Sequence, residues 1–427
     1  MPLFSEMTAG QRAVRAAELR TIYDGYKARG LRLDMSRGKP GADQLTLSHA
    51  MLNLLSGDDL TINPGGIQAG NYGVPEGLVA ARELFGGILG VPAAQVIVGG
   101  NSSLNLMYDQ ILTAYTFGWR GEKPWSQQEG VKFLCPVPGY DRHFAITERL
   151  GIKMIPVSMG ADGPDMDAVE ALVRDPQVKG IWCVPMYANP TGVTYSDEVV
   201  RRLAALPAAA ADFMIMWDNA YCMLPLTQQA DTLLNLYEAA EQAGREDQVV
   251  MFTSTSKLTF PGAGVAAVAS SPRNIKEIAG RLAVQTIGYD KLNMLRHVKL
   301  FGNVAGVRVQ AEKHAAILRP KFELVLEMLE NAFGVGAAGE GLVSWYKPRG
   351  GYFVSVDLAA DGRGLAKRTV QLLKEAGVVM TPAGATYPYG NDPVDCNLRI
   401  APTFPPLEEL RVAMELFCVC VELAAME

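Results

Sequence analysis

The chain has 427 residues, enough for two to three domains at about 150 residues each. Lysine and arginine number 39 against 45 aspartates and glutamates, a formal net charge of −6, which argues against a nucleic-acid binder that needs clustered cations. With 49% hydrophobic and 20% charged residues, the composition excludes a disordered chain and describes a packed globular one.

The first 20 residues carry Glu6, Arg12, Arg15 and Glu18 and lack the apolar core of a signal peptide. The first 50 show no core of their own and are expected to pack onto a later unit. Short apolar runs then appear at 95–98, 131–135, 152–157, 180–184, 213–217, 249–253 and 265–269. Segments of helical periodicity lie among them at 104–116, 166–174, 197–206 and 232–243. Runs buried on both faces and separated by helices predict an α/β fold with a mostly parallel sheet. After Pro272 the pattern changes to long helical stretches, clearest at 321–333. Strands at 342–346 and 352–356, a helix at 365–376, a strand at 397–400 and a closing helix at 406–424 read as a separate α+β unit. No run of about 18 uninterrupted apolar residues occurs, so no membrane-spanning helix is expected. The six cysteines form no CxxC pair and only four histidines accompany them, so reduced cysteines in a cytoplasmic protein are expected, with no metal site.

Several segments carry candidate chemistry. The run at 95–98 enters Gly99-Gly100-Asn101-Ser102-Ser103 and then a helix, an arrangement that presents free backbone N–H groups to an anion. Asn101 or Ser102 would cap that helix, which is also the plainer reading of the turn. A literal GxGxxG at 334–339 follows a helix and precedes a strand, the reverse of a dinucleotide site, and reads as a helix stop. The apolar run at 213–217 ends in Asp218, with Tyr221 three residues on. A carboxylate there points into the crevice where α/β sheets bind ligands, or it caps the next helix. Asn189-Pro190-Thr191-Gly192 is a tight turn after a strand. Ser254-Thr255-Ser256-Lys257 closes another strand; burial at such a place would lower the amine's pKa and make it nucleophilic, whereas a solvated loop would not.

Taken together, Asn189, then Asp218 with Tyr221, then Ser254 to Lys257, resembles the layout of the class I and II aminotransferases, pyridoxal-phosphate enzymes of fold type I. The segments 35–41, 71–77 and 135–144 are most similar to the type Ic aspartate aminotransferases. The resemblance implies a large domain at 56–315 with a seven-stranded, mostly parallel sheet, and a smaller α+β domain made from 1–55 and 316–427. It implies pyridoxal 5'-phosphate joined covalently to Lys257, which also shuttles the substrate's α-proton. Asp218 would keep the ring nitrogen charged, Tyr221 and Asn189 would hold the ring oxygen, and Ser102, Ser103, Ser254 and Ser256 the phosphate. Tyr140 would stack on the ring, with His143 its competitor. Arg399 would take the substrate's α-carboxylate, and Arg37 with Gly38 would close over it. Tyr72 would reach the phosphate in a partner subunit, which implies a homodimer with shared sites.

The implied activity is ping-pong transamination between an amino acid, aspartate, and a 2-oxo acid, 2-oxoglutarate. A second cation for the side-chain carboxylate is open among Arg37, Lys39, Lys291 and Arg296. The segment 258–264 lacks the arginine that many relatives place after the lysine, so the phosphate needs another counter-charge, Arg142 or a partner residue. A β-lyase or decarboxylase on the same scaffold shares every cofactor residue, and a ligand-sensing domain without catalysis is the rival from another class.

Overall fold

The computed structural model describes residues 3–62 and 66–427. Eight strands form the main sheet: β1 (Val96–Val98), β2 (Lys132–Val137), β3 (Lys153–Gly160), β4 (Gly163–Pro164), β5 (Val178–Cys183), β6 (Met214–Asp218), β7 (Val249–Ser254) and β8 (Ala266–Ser270). Their order is β1-β8-β7-β6-β5-β2-β3-β4. Strands β7, β6, β5, β2 and β3 are successively parallel. Strand β8 runs against both β7 and β1, so β1 shares the direction of the parallel set. Every residue of β5, β6 and β8 is buried, because apolar clusters cover both sheet faces. That two-sided burial is why these strands read as unbroken apolar runs. The seven expected strands are all present. The eighth, β4, is two residues folded back on the end of β3 and too short to leave a run of its own.

Helix α1 (Ala9–Ala28) opens the fold, with its start set by a capping box between Thr8 and Gln11. Helices α2 (Ser103–Phe117) and α3 (Asp141–Arg149) follow β1 and β2. Helix α4 (Val304–Phe333) is one continuous 30-residue element that passes through Pro320, so the expected 321–333 is only its second half. It stops at Gly334, whose N–H donates to Glu330 O at 2.9 Å, and the GxGxxG segment is the turn beyond it. Helix α5 (Leu407–Met426) closes the chain.

The second sheet is antiparallel. Strand β10 (Val354–Ala360) lies between β9 (Val343–Trp345) and β12 (Asn397–Ile400), with β11 (Arg363–Gly364) at its end. The N-terminal segment joins this unit: Leu33 and Asp34 pair with Val378 and Val379, and α1 packs on α5. Helix α1 buries only Leu19 and Tyr23, which is why it left little hydrophobic signal. It is held instead by polar contacts, Arg15 to Glu422 at 2.7 Å and the Tyr23 hydroxyl donating to Leu372 O at 2.9 Å. All six cysteines are unpaired. Among the described residues, no helix is long and apolar enough to cross a membrane.

Candidate active site

The co-directional strands deliver their carboxyl ends to one edge of the sheet, where open α/β sheets hold ligands. Strand β6 ends at Asp218, only 3% exposed. Strand β7 ends at Ser254, with Ser256 and Lys257 just beyond it. Strand β1 feeds the glycine turn and α2. Strand β8 pins that turn: Gly99 N–H donates to Ala266 O at 2.9 Å, and Ala266 N–H to Gly100 O at 3.1 Å. Gly100 has φ +68°, a conformation glycine adopts without strain. Ser102 is the N-cap of α2, yet its side chain makes no capping bond. Ser256 Oγ donates to Asn101 O at 3.4 Å, and Ser254 Oγ to Ser256 Oγ at 3.1 Å. The structure thus gathers Ser102, Ser103, Ser254 and Ser256 around the amino end of α2, where backbone N–H groups favour an anion.

Lys257 Nζ donates to Gly38 O at 2.8 Å and lies 5.1 Å from the centre of the Tyr352 ring. Loss of solvation lowers its pKa from 10.5 to about 8; the Arg399 guanidinium pushes the same way and Asp218 opposes. The free base therefore dominates only above that value. In cofactor-free protein, modification of Lys257 by trinitrobenzene sulfonate should rise with pH and level off above about 8, while solvated lysines gain rate up to about pH 10. Peptide mapping at several pH values reads this, and a midpoint near 10 at Lys257 contradicts the burial argument.

Behind the lysine, Asp218 Oδ2 lies 3.1 Å from His143 Nε2, while Asp218 Oδ1 is buried with no partner. His143 is itself buried and stacks on Trp182 with centroids 4.3 Å apart and planes 10° from parallel. One face of His143 is thus covered and its edge serves Asp218. Tyr140 meets His143 edge-on at 4.9 Å. On the other side, Asn189 Nδ2 donates to the Tyr221 hydroxyl at 3.5 Å, and burial raises the Tyr221 pKa well above its ordinary value. Arg399, on β12, is 7% exposed and donates through Nη1 to Asn189 Oδ1 at 3.0 Å. Its Nη2 donates to Thr381 Oγ1 at 3.3 Å, and its guanidinium lies 4.7 Å over the Phe353 ring.

Other candidates do not join Lys257, Asp218 and Arg399 directly. Tyr72 is 80% exposed. Arg37 and Arg142 are exposed. Lys39 Nζ sits 3.8 Å over the Phe404 ring, Lys291 Nζ donates to Gly73 O at 3.0 Å, and Arg296 lines a surface cavity with Gly100, Asn101 and Gly264. The sequence did not point to Asp141, whose Oδ1 accepts from Arg399 Nη1 at 3.2 Å, nor to Thr381, Phe353 and Tyr352. Only Asp141 had a signal, its place directly after Tyr140.

Pyridoxal phosphate, which the resemblance implies, can be tested against these features. The orphaned Asp218 oxygen is buried and calls for an N–H donor, as a protonated ring nitrogen is. The hydroxyls and free N–H groups around Ser102 suit a phosphate. A lysine with a lowered pKa suits an aldehyde. The residues fit the group at all three points.

Comparison with known proteins agrees. A model of the aspartate amino-transferase family matches residues 7–427. An aspartate aminotransferase of Corynebacterium glutamicum is 46% identical over 411 residues, covering 96% of this chain and 93% of that protein. The crystal structure of an aspartate transaminase from Corynebacterium glutamicum superimposes with a TM-score of 0.94 at 44% identity, over 99% of this chain and 98% of the other. An α-aminoadipate aminotransferase from Thermus thermophilus, solved with N-(5'-phosphopyridoxyl)-L-leucine, shares the fold with a TM-score of 0.74 at 20% identity, over 94% of this chain and 96% of that one. The chain belongs to the aspartate aminotransferase family and is a pyridoxal-phosphate-dependent aminotransferase.

Proposed function

We propose that the protein moves the amino group of aspartate to 2-oxoglutarate by a ping-pong route. One arrangement carries this reading: the Lys257 amine is flanked by the buried Asp218 carboxylate and the Arg399 guanidinium, both close enough to shift its pKa. When bound, pyridoxal phosphate supplies an aldehyde that accepts and returns the amino group and a ring that draws electron density from the substrate's Cα. The chain's own residues do the rest. Arg399 binds the α-carboxylate and so aims the Cα–H bond at Lys257. Lys257 Nζ, once free, takes that proton as general base and later returns one. Asp218, aligned by His143, holds a charged N–H opposite its free oxygen. Tyr221 and Asn189 donate to the ring oxygen, Tyr140 stacks on the ring, and the four serines hold the phosphate. Gly38 and Arg37 close the site from above.

The C. glutamicum relatives, each named for aspartate, support the donor; the acceptor rests on the resemblance. We further propose a cytoplasmic homodimer in which the exposed Tyr72 reaches the partner's phosphate. In it, 1–55 and 316–427 form a unit distinct from 56–315; the second boundary falls inside the continuous helix α4. A panel of amino acids, mixed singly with holoenzyme and followed by the cofactor's absorbance, tests the donor. Aspartate and glutamate should convert the spectrum fastest, and inertness of aspartate refutes the reading. Keto-acid formation that needs no amino acceptor would favour a lyase or decarboxylase instead. Arg399→Lys, which loses the bidentate fork, should lower kcat/KM for aspartate by about 100-fold, mostly through KM.

Gly38 has a further constraint. A β-carbon there would lie 2.2 Å from Phe353 Cζ, and Phe353 is buried under the Arg399 guanidinium. Gly38→Ala should displace that ring and raise KM by about tenfold while the melting temperature falls only a few degrees. Steady-state kinetics and thermal melts check both.

A further inference from the structure

We propose that Asp141 is a built-in stand-in for the substrate's carboxylate: it occupies Arg399 until substrate displaces it, and so sets how tightly carboxylates bind. The inference rests on the reading of Arg399 as the carboxylate-binding residue. It starts from where the five guanidinium N–H groups go. Nη1 donates to Asn189 Oδ1 at 3.0 Å and to Asp141 Oδ1 at 3.2 Å. Nη2 donates to Thr381 Oγ1 at 3.3 Å. Nε is buried without a partner, so it is the one nitrogen of the group that holds no protein oxygen. The Phe353 ring covers one face. A ligand carboxylate that uses Nη1 therefore meets two oxygens already there, one of them the Asp141 carboxylate.

These contacts differ in how readily they leave. Asn189 is 2% exposed and Thr381 6%. Asp141 has a side chain 32% exposed, at the first position of α3. Turned outward, its carboxylate meets water and stays near the positive end of the helix, so it gives way at small cost. Two carboxylates cannot share one donor without repulsion, so bound substrate and the Asp141–Arg399 contact exclude one another. The occupied fraction then discounts the affinity of every carboxylate ligand, as any competing closed state does.

The probe is succinate, a dicarboxylate with no amino group to transfer, titrated into holoenzyme by calorimetry and by cofactor absorbance. Asp141→Asn keeps the side chain's shape and Asp141→Ala removes it; both should bind succinate about fivefold more tightly than the native protein. Arg399→Lys is the control and should bind it more weakly. If Arg399→Lys weakens binding but neither Asp141 variant tightens it, the stand-in role is refuted while Arg399 keeps its own. If Arg399→Lys binds succinate as the native protein does, both assignments fall. The absorbance of each variant before titration shows that the cofactor site is formed.

Discussion

Lys257→Ala is expected to bind pyridoxal phosphate, weakly and without a covalent bond, and to lose at least about 10⁴-fold in kcat, since both nucleophile and general base go with one side chain. The structure says why no neighbour can substitute. Among the described residues, the groups that face the lysine are the Gly38 carbonyl, the Tyr352 ring, Arg399 and Asp218. A carbonyl carries no transferable proton, a guanidinium does not give one up, and Asp218 is tied to His143. The variant should still melt cooperatively, because the lysine's amine makes only one hydrogen bond and one contact with the Tyr352 ring. Borohydride reduction followed by peptide mapping should tag position 257 in the native protein and nothing in the variant. Near-normal turnover of the variant, or a tag elsewhere, removes Lys257 from its assigned role.

The second large effect concerns Asp218, and it has opposite signs in the two forms of the protein. Without cofactor, Asp218 Oδ1 is a buried acceptor with no donor, an arrangement that costs on the order of 1–3 kcal/mol. Asp218→Asn should therefore leave the cofactor-free protein as stable as before, or slightly more so. With cofactor, the same change removes the buried carboxylate proposed to face a charged ring nitrogen, and kcat should fall by about 10²- to 10³-fold, the usual worth of one preorganised charge. The rise in melting temperature on adding pyridoxal phosphate should shrink accordingly, because ligand stabilisation follows affinity for the folded state. Melts of both proteins with and without cofactor give all four numbers. An undiminished rise in the variant means that Asp218 does not face the ring.

What the sequence disclosed follows from which signals are local. Strands β5, β6, β7 and β8 are buried on both faces, so each shows as an apolar run, and the chemistry sits where those runs stop, at Asp218 and at Ser254 to Lys257. The glycine turn after β1 was legible for the same reason. Contacts between distant segments were not. Gly38 meets Lys257 across 219 positions and Arg399 meets Asp141 across 258, and no spacing rule encodes either. His143 looked like a candidate for the ring face because it lies just past a strand. In the fold its edge is needed by Asp218 and its face by Trp182. Helix α1 was invisible because it is held by ion pairs to the far end of the chain rather than by an apolar stripe. Helix α4 was half seen because Pro320 suggests a break that neighbouring turns tolerate.

That clasp between first and last helices bears on biosynthesis. Arg15 waits for Glu422, and Arg20 and Arg368 both wait for Glu427. The opening helix takes its seat only against residues made 407 positions later, and the Gly38 carbonyl that roofs the lysine comes ten residues after that helix ends. A nascent polypeptide long enough to pair every strand of the main sheet would still lack α5, and with it the seat that steadies this roof.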